Sequence, residues 1–171
     1  MNLVQVQTNT VTSGVSLVTL TGINTNDIYV CIFTNVFCAS DDDINIRVTT
    51  SGTPDSDSEY DYASKDLKTS GAFGNTTGRS NLDDFDFSAG VGTSGQNSNN
   101  GIIYLFNFND SNEHSAISME NVTTRTDSSD ELFGFQGGGV HTVQESNDGI
   151  SFRGASGNNI TGGTFTLYKV V

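Results

Sequence analysis

Hydrophobic and polar residues alternate in short runs along most of this chain, which is the period-two pattern of half-buried β-strands. In segment 44–50, isoleucine and valine alternate with Asn45, Arg47 and Thr49, as expected for a strand with one wet face. Segments 147–153 and 162–171 are predicted to form a closing hairpin, in which Phe165 and Leu167 face inward. Segments rich in Gly, Asn and Ser separate these runs. The pattern therefore predicts antiparallel strands joined by turns, with no helix longer than a turn or two.

Two segments, 28–38 and 102–108, are apolar on both faces of the predicted strand. In the first, alternation places Val30 and Val36 on one face and Cys31 and Phe33 on the other. A strand of this kind needs a cover on both sides. One cover is the core, and the other is a neighbouring loop or a neighbouring subunit. Because the chain has more apolar strand surface than one small core needs, we favour assembly with other subunits. The predicted interface residues are Leu3, Val4, Val6, Tyr29, Phe33, Phe37, Ile103 and Leu105.

The length of 171 residues indicates a single domain, and the strand signals recur at the spacing of a sandwich. We predict an all-β fold: an antiparallel β-sandwich, a jelly roll of about eight strands with long Gly/Ser/Asn loops. The domain is expected to span residues 1–171, with a flexible loop at 89–101. An immunoglobulin-type sandwich is the competing fold, but its Cys…Trp…Cys pattern is absent, because the chain has no tryptophan.

The chain is strongly acidic, with 20 Asp and Glu against 7 Lys and Arg. This balance argues against binding to a nucleic-acid backbone, which requires a basic face. No apolar run reaches the roughly 20 residues of a membrane span, and no signal-peptide pattern precedes the first strand. Cys31 and Cys38 lie in one predicted strand, roughly 23 Å apart when extended, so no disulfide is expected between them.

Catalytic and metal-binding motifs are weak. His114 and His141 are the two histidines, and neither lies in a nucleophile motif such as Gly-x-Ser-x-Gly. A Ser-His-Asp triad assembled in space stays open. Segment 55–59 (Asp-Ser-Asp-Ser-Glu) resembles the start of a calcium loop, but Tyr60 stands where an EF-hand needs glycine. The acidic runs 41–43 and 83–86 are equally unspecific. We predict a protein without enzymatic activity, metal or cofactor.

Three parts of the sequence resemble a group of virion structural proteins of tailed bacteriophages, especially those of aquatic phages. They are the opening segments 3–8 and 15–22, the middle segment 101–107, and the closing segments 147–150 and 156–168. The resemblance implies a β-sandwich, a jelly roll, that decorates the capsid or belongs to a tail or fibre. It implies no catalytic residues.

These observations lead to a first hypothesis, a non-enzymatic capsid decoration (cement) protein. It would form a homotrimer, bind the major capsid protein on the virion exterior and be assembled in the host cytoplasm. Residues 1–7 offer a strand that can extend a neighbour's sheet.

The alternative is a receptor- or glycan-binding module of a tail fibre or head appendage. Its aromatic platform would be Tyr60, Tyr62, Phe85 and Phe87. A third hypothesis, a glycan depolymerase, is disfavoured because enzymes carried on fibres are usually far longer.

Overall fold

The computed structural model describes residues 2–69, 71, 73–86, 88, 90–125 and 131–171. Across these residues all strand pairs are antiparallel, and one short 3-10 helix occurs at Gly95–Asn97. The strands are β1 Leu3–Val11, β2 Val18–Thr21, β3 Tyr29–Cys38, β4 Ile44–Thr50, β5 Thr53–Pro54, β6 Tyr60–Lys68, β7 Gly74–Leu82, β8 Phe85–Asp86, β9 Asn99–Phe106, β10 His114–Arg125, β11 Glu131–Gln144, β12 Gly149–Gly154 and β13 Ile160–Val170. In this part of the chain no helix is long and apolar enough to cross a membrane.

The strands form two sheets that pack face to face. The large sheet has eight strands in the order β1-β13-β3-β9-β10-β11-β6-β7, and the small sheet has the order β2-β12-β4-β5 with β8 also paired to β4. The predicted all-β antiparallel sandwich is confirmed. The strand count is higher than predicted, because segment 51–100 adds β6 and β7 and the two-residue strands β5 and β8.

The hydrophobic core lies between the two sheets. Phe33 and Phe165 of the large sheet meet Phe152 of the small sheet, with ring centroids 4.8–6.5 Å apart. All three rings are at most 2% exposed. Burying a side chain of this size stabilises the fold by about 2–3 kcal/mol, so this aromatic cluster is a main contact between the layers.

A β-bulge in β3 changes which side chains face the core. Asn35 has a positive φ of 54°, and the pairing with β9 shifts between Phe33 and Val36. Val36 and Cys38 therefore join Cys31 in the core, whereas strict alternation placed Val36 on the opposite face. Both cysteines are free, as predicted, and burial raises the pKa of the Cys38 thiol to about 12.

Two other expectations from the sequence need correction. Segments 149–154 and 160–170 read as one closing hairpin, but β12 belongs to the small sheet and β13 to the large sheet. The predicted loop 89–101 is shorter in the structure, since β9 begins at Asn99 and Val91 is fully buried in a bridge to Asp42. Its first residue, Ala89, lies outside the described residues.

The run of glycines in β11, Gly137–Gly139, allows neighbouring groups to approach closely. A Cβ on Gly139 would lie 2.6 Å from the ring of Phe85, and one on Gly137 would lie 2.4 Å from the backbone oxygen of Ala63. The glycines let β6 and the Phe85 ring pack directly against the β11 backbone. The strand remains continuous through them.

Candidate functional site

One face of the large sheet carries a broad set of apolar side chains outside the core. Cross-strand register places Tyr168, Val30 and Tyr104 in one row and Ile32 beside Ile102 in the next. The core lies on the opposite side of these strands, with Cys31 and Ile103 between the rows. We call the outward set the outer apolar face; it comprises Leu3, Val30, Ile32, Ile102, Tyr104, Phe106, Tyr168 and Val170.

The centre of the outer apolar face is packed within itself. The rings of Tyr104 and Phe106 stack with centroids 6.5 Å apart. Val30 is only 2% exposed, although it lies outside the core cluster, and Tyr104 and Tyr168 flank it in register. These contacts make a continuous apolar surface. Apart from Val30, its members are half-buried or exposed, so part of their apolar area remains in water.

The predicted interface residues divide into two groups in the structure. Tyr29, Phe33, Ile103 and Leu105 are 0–2% exposed and form part of the core, so their assignment to an interface is wrong. The second apolar face exists, but it is made by their neighbours of opposite parity. Alternation identifies both faces of a strand, yet it is symmetric and does not say which one the second sheet covers.

The remaining predicted interface residues lie partly or fully at the surface. Leu3 and Val4 are 44% and 52% exposed. Val6 is half-buried and packs against the core, and Phe37 is half-buried with its ring against Gly162. Leu3 and Val4 belong to β1, the edge strand of the large sheet, and no other strand of the described chain pairs with its second edge. Such an edge can accept a strand from another chain.

A hollow of about 430 Å³ opens on the outer face of the large sheet, beside Ile102. In register, Gly134 lies between Val122 and Leu67. The hollow is lined by Leu67, Asn100, Gly101, Ile102, Glu120, Asn121, Val122 and Gln136. Gln136 donates a hydrogen bond of 2.6 Å to Glu120 at its rim.

The outer face of the small sheet is polar and forms its own ion pairs. Arg153 Nη2 lies 2.7 Å from Asp84 Oδ2, and Arg47 Nη2 lies 2.6 Å from Asp83 Oδ2. A longer contact of 3.7 Å joins Arg47 to Asp84. The Asp84 side chain is 6% exposed, so its charge is compensated inside the chain. We refer to these four residues as the arginine–aspartate cluster.

The predicted glycan-binding platform is absent at the residues proposed for it. Tyr60, Tyr62 and Phe85 are 0%, 4% and 1% exposed, and the Tyr60 and Phe85 rings pack edge to face in the core. Phe87 lies outside the described residues. The alternation of acidic and aromatic residues therefore marked strand positions at which the aromatic side chains Tyr60, Tyr62 and Phe85 are buried.

The acidic segment 55–59 lies against one of the histidines. His141 is fully buried, and its Nε2 lies 3.0 Å from Asp55 Oδ2 and 3.4 Å from Glu59 Oε2. Burial and the nearby charge of Asp55 raise the pKa of Glu59. Within the described residues, no serine hydroxyl bonds to the His141 ring, so His141 forms no Ser-His-Asp triad there. His114 is exposed.

Comparisons with known proteins give a coarse picture. No protein-family model matches the chain, and no curated protein matches it. Among solved structures, the galectin LEC-6 of Caenorhabditis elegans is 11% identical over 88% of both chains, with a TM-score of 0.34. The VP2 subviral particle of infectious bursal disease virus is 13% identical, with a TM-score of 0.12, and the match spans 39% of that chain.

Proposed function

We propose that this protein is a non-enzymatic structural component of a virion, a capsid decoration protein that binds the major capsid protein through its outer apolar face. The observation that carries this proposal is the outer apolar face itself, which is apolar across four adjacent strands. The resemblance of the two ends and the middle of the sequence to tailed-phage virion proteins supports the choice of partner.

The outer apolar face leaves apolar area in contact with water. Removing apolar surface from water gains about 25 cal/mol per Å², so binding of a partner to this face is favourable. Monomeric proteins rarely expose contiguous apolar patches larger than several hundred Å². None of the eight residues that define the outer apolar face is charged, although the chain carries a net charge of −13. A partner can therefore cover this face without burying an unpaired charge of these side chains.

Attachment as a homotrimer would present three such faces at once. Weak individual contacts then add through effective concentration, and the assembled trimer binds the lattice far more tightly than one copy. The exposed edge of β1, with Leu3 and Val4, would supply either the contact between copies or a strand added to the shell protein. The acidic remainder of the surface keeps particles apart in solution.

The decisive experiment uses particles that lack the protein. Purified wild-type chain is expected to bind them and to raise their resistance to heat, whereas Tyr104→Lys is expected to lose most of the binding, since it places a charge in the centre of the face. Thr53→Lys, at an exposed position of the small sheet, is the matched control and should bind like wild type. The proposal fails if wild-type chain stays in the supernatant, or if Tyr104→Lys binds as well as Thr53→Lys.

The hollow beside Ile102 favours a second candidate function, glycan or receptor binding. Its volume lies within the range of small-ligand sites, and it combines apolar walls with the polar groups of Asn100, Glu120 and Gln136. Val122 is 41% exposed, so Val122→Arg would fill the hollow without disturbing the core. Binding on a glycan array that Val122→Arg abolishes, combined with no binding to particles, would favour this function over decoration.

A further inference from the structure

The geometry around His141 points to a metal site that the sequence motifs do not reveal. We propose that His141 and Glu145, with Asp55 beside them, bind one divalent first-row transition-metal ion, for which Zn²⁺ is the probe. The candidate ligand atoms of these three residues lie within 4.8 Å of one another. The fold brings them together from the loop after β5 and from the end of β11.

Within the described part of the chain, the buried His141 imidazole has one ring nitrogen with a partner and one without. His141 is 0% exposed, and its Nε2 contacts Asp55 Oδ2 at 3.0 Å. A carboxylate accepts hydrogen bonds, so this contact places the proton on Nε2 and leaves a lone pair on Nδ1. Nδ1 is a buried nitrogen with no hydrogen-bond partner among the described residues. Leaving such a group unsatisfied in the interior is costly.

The Glu145 carboxylate lies opposite Nδ1 of His141. Glu145 Oε1 lies 3.9 Å from His141 Nδ1. This distance is too long for a hydrogen bond, so protonating Nδ1 would not join the two groups directly. Zn–N and Zn–O bonds of about 2.1 Å each span up to about 4.2 Å. A zinc ion can therefore bridge the two atoms, and the half-buried Glu145 carboxylate has to move inward by about 0.5 Å to give the tetrahedral angle.

The neighbouring residues have the arrangement that orients a metal-bound histidine. Ligating imidazoles typically donate their second N–H to a carboxylate, and Asp55 occupies that position. Thr50 Oγ1 donates to Glu145 Oε1 at 3.2 Å and helps hold it in place. The Tyr60 ring packs on the imidazole with centroids 4.9 Å apart. The histidine ligand is thus fixed before an ion arrives.

The local charge also calls for a cation. Asp55, Glu59 and Glu145 lie near one imidazole, and in the described part of the chain their ion pairs are with His141 alone. No lysine or arginine of that part forms an ion pair with them. A nitrogen donor combined with carboxylate oxygens suits zinc and its neighbours in the first transition row. A bound ion would join the 55–59 loop to the end of β11.

The test begins with His114→Gln, which leaves His141 as the one imidazole of the chain. Calorimetric titration with Zn²⁺ is expected to show one ion per chain, and long-range ¹H–¹⁵N spectra should show a shift of the His141 Nδ1 resonance. Replacing the ligand by Glu145→Gln should weaken Zn²⁺ binding at least about tenfold, and Asp55→Asn about ten- to a hundredfold. His141 itself is left intact because it is fully buried.

Asp57→Asn is the matched control, since Asp57 lies on the same acidic loop and makes no contact with His141 in the ion pairs found. It should bind Zn²⁺ like the His114→Gln parent. Thermal unfolding with a chelator checks that each variant folds. The proposal is overturned if Zn²⁺ does not bind saturably, if Asp57→Asn loses as much affinity as Glu145→Gln, or if Ca²⁺ alone binds, which would assign any site to the carboxylate loop.

Discussion

The outer faces of the two sheets differ in the side chains that they expose to water: the small sheet exposes ion-paired side chains and the large sheet exposes apolar ones. On the small sheet, Arg47 and Arg153 pair with Asp83 and Asp84, so these charged side chains find partners within the chain. On the large sheet, the outer apolar face has Tyr104 and its neighbours stacked on one another but still partly exposed. The first face pairs its charged side chains within one chain. The second gains free energy only when another surface covers it, which is why our proposal places the binding surface on the large sheet.

The largest expected effect separates the two sides of β9. Ile103 is 0% exposed in the core, and the next residue along the chain, Ile102, is half-buried on the outer apolar face. Ile103→Ala should lower the free energy of unfolding by about 3–4 kcal/mol, because it leaves a cavity. Ile102→Ala should lower it by less than about 1 kcal/mol. Urea unfolding of both variants measures the difference, and equal losses would show that the outer face is already covered.

A smaller effect is expected in the arginine–aspartate cluster. Asp84→Ala removes the closer carboxylate partner of Arg153 and should cost about 2 kcal/mol, since Arg153 loses a charged hydrogen bond and keeps only a longer contact of 3.8 Å to Asp83. Asp83 is the matched control: its side chain is 54% exposed, and Asp83→Ala should cost under about 1 kcal/mol. Urea midpoints compare the two. Equal costs would mean that the buried Asp84 stabilises the arginine–aspartate cluster no more than the exposed Asp83 does.

The smallest effect concerns pH and Asp86, which lies in β8 at the side of the small sheet. Burial, together with the charge of Asp43, raises the pKa of Asp86 from 3.8 to about 6. The native state therefore holds this proton more tightly than the unfolded chain. Its contribution to stability is full below about pH 4 and is lost as pH rises through about 6.

Asp86→Asn removes that titration. After discounting for partial exposure, it should stabilise the protein by about 1 kcal/mol at pH 7.5 and have little effect at pH 4. Urea unfolding of wild type and variant at both pH values measures this difference. A stabilisation that does not change with pH would show that the raised pKa is not its cause.

Strand periodicity predicted most of the architecture, but it failed at particular residues. Phe165 and Leu167 face inward as predicted. The bulge at Asn35 was not predicted, because one extra residue in a strand leaves no mark on composition. Beyond it the alternation reverses, and the assignment of Val36 was wrong for that reason.

The candidate sites were harder to predict than the strands. The sequence indicated more apolar strand surface than one core needs, and the structure has a second apolar face. That face is formed by Ile102 and Tyr104, whereas the predicted Ile103 and Leu105 lie in the core. The contact of His141 with Asp55 joins positions 86 residues apart, through the pairing of β6 with β11. No local motif contains both, so segment 55–59 showed only a weak resemblance to the start of a calcium loop.

The amino-acid sequence by itself determined that this chain is all β, that its strands are antiparallel, and that some of them are apolar on both sides. These properties follow from side-chain alternation and turn residues, which act over a few positions. Only the tertiary structure decided that Ile103 is inside and Ile102 outside, and that His141 meets Glu145 beside Asp55. Sheet pairing and the placement of the second sheet settle those questions, since they depend on residues far apart in the chain.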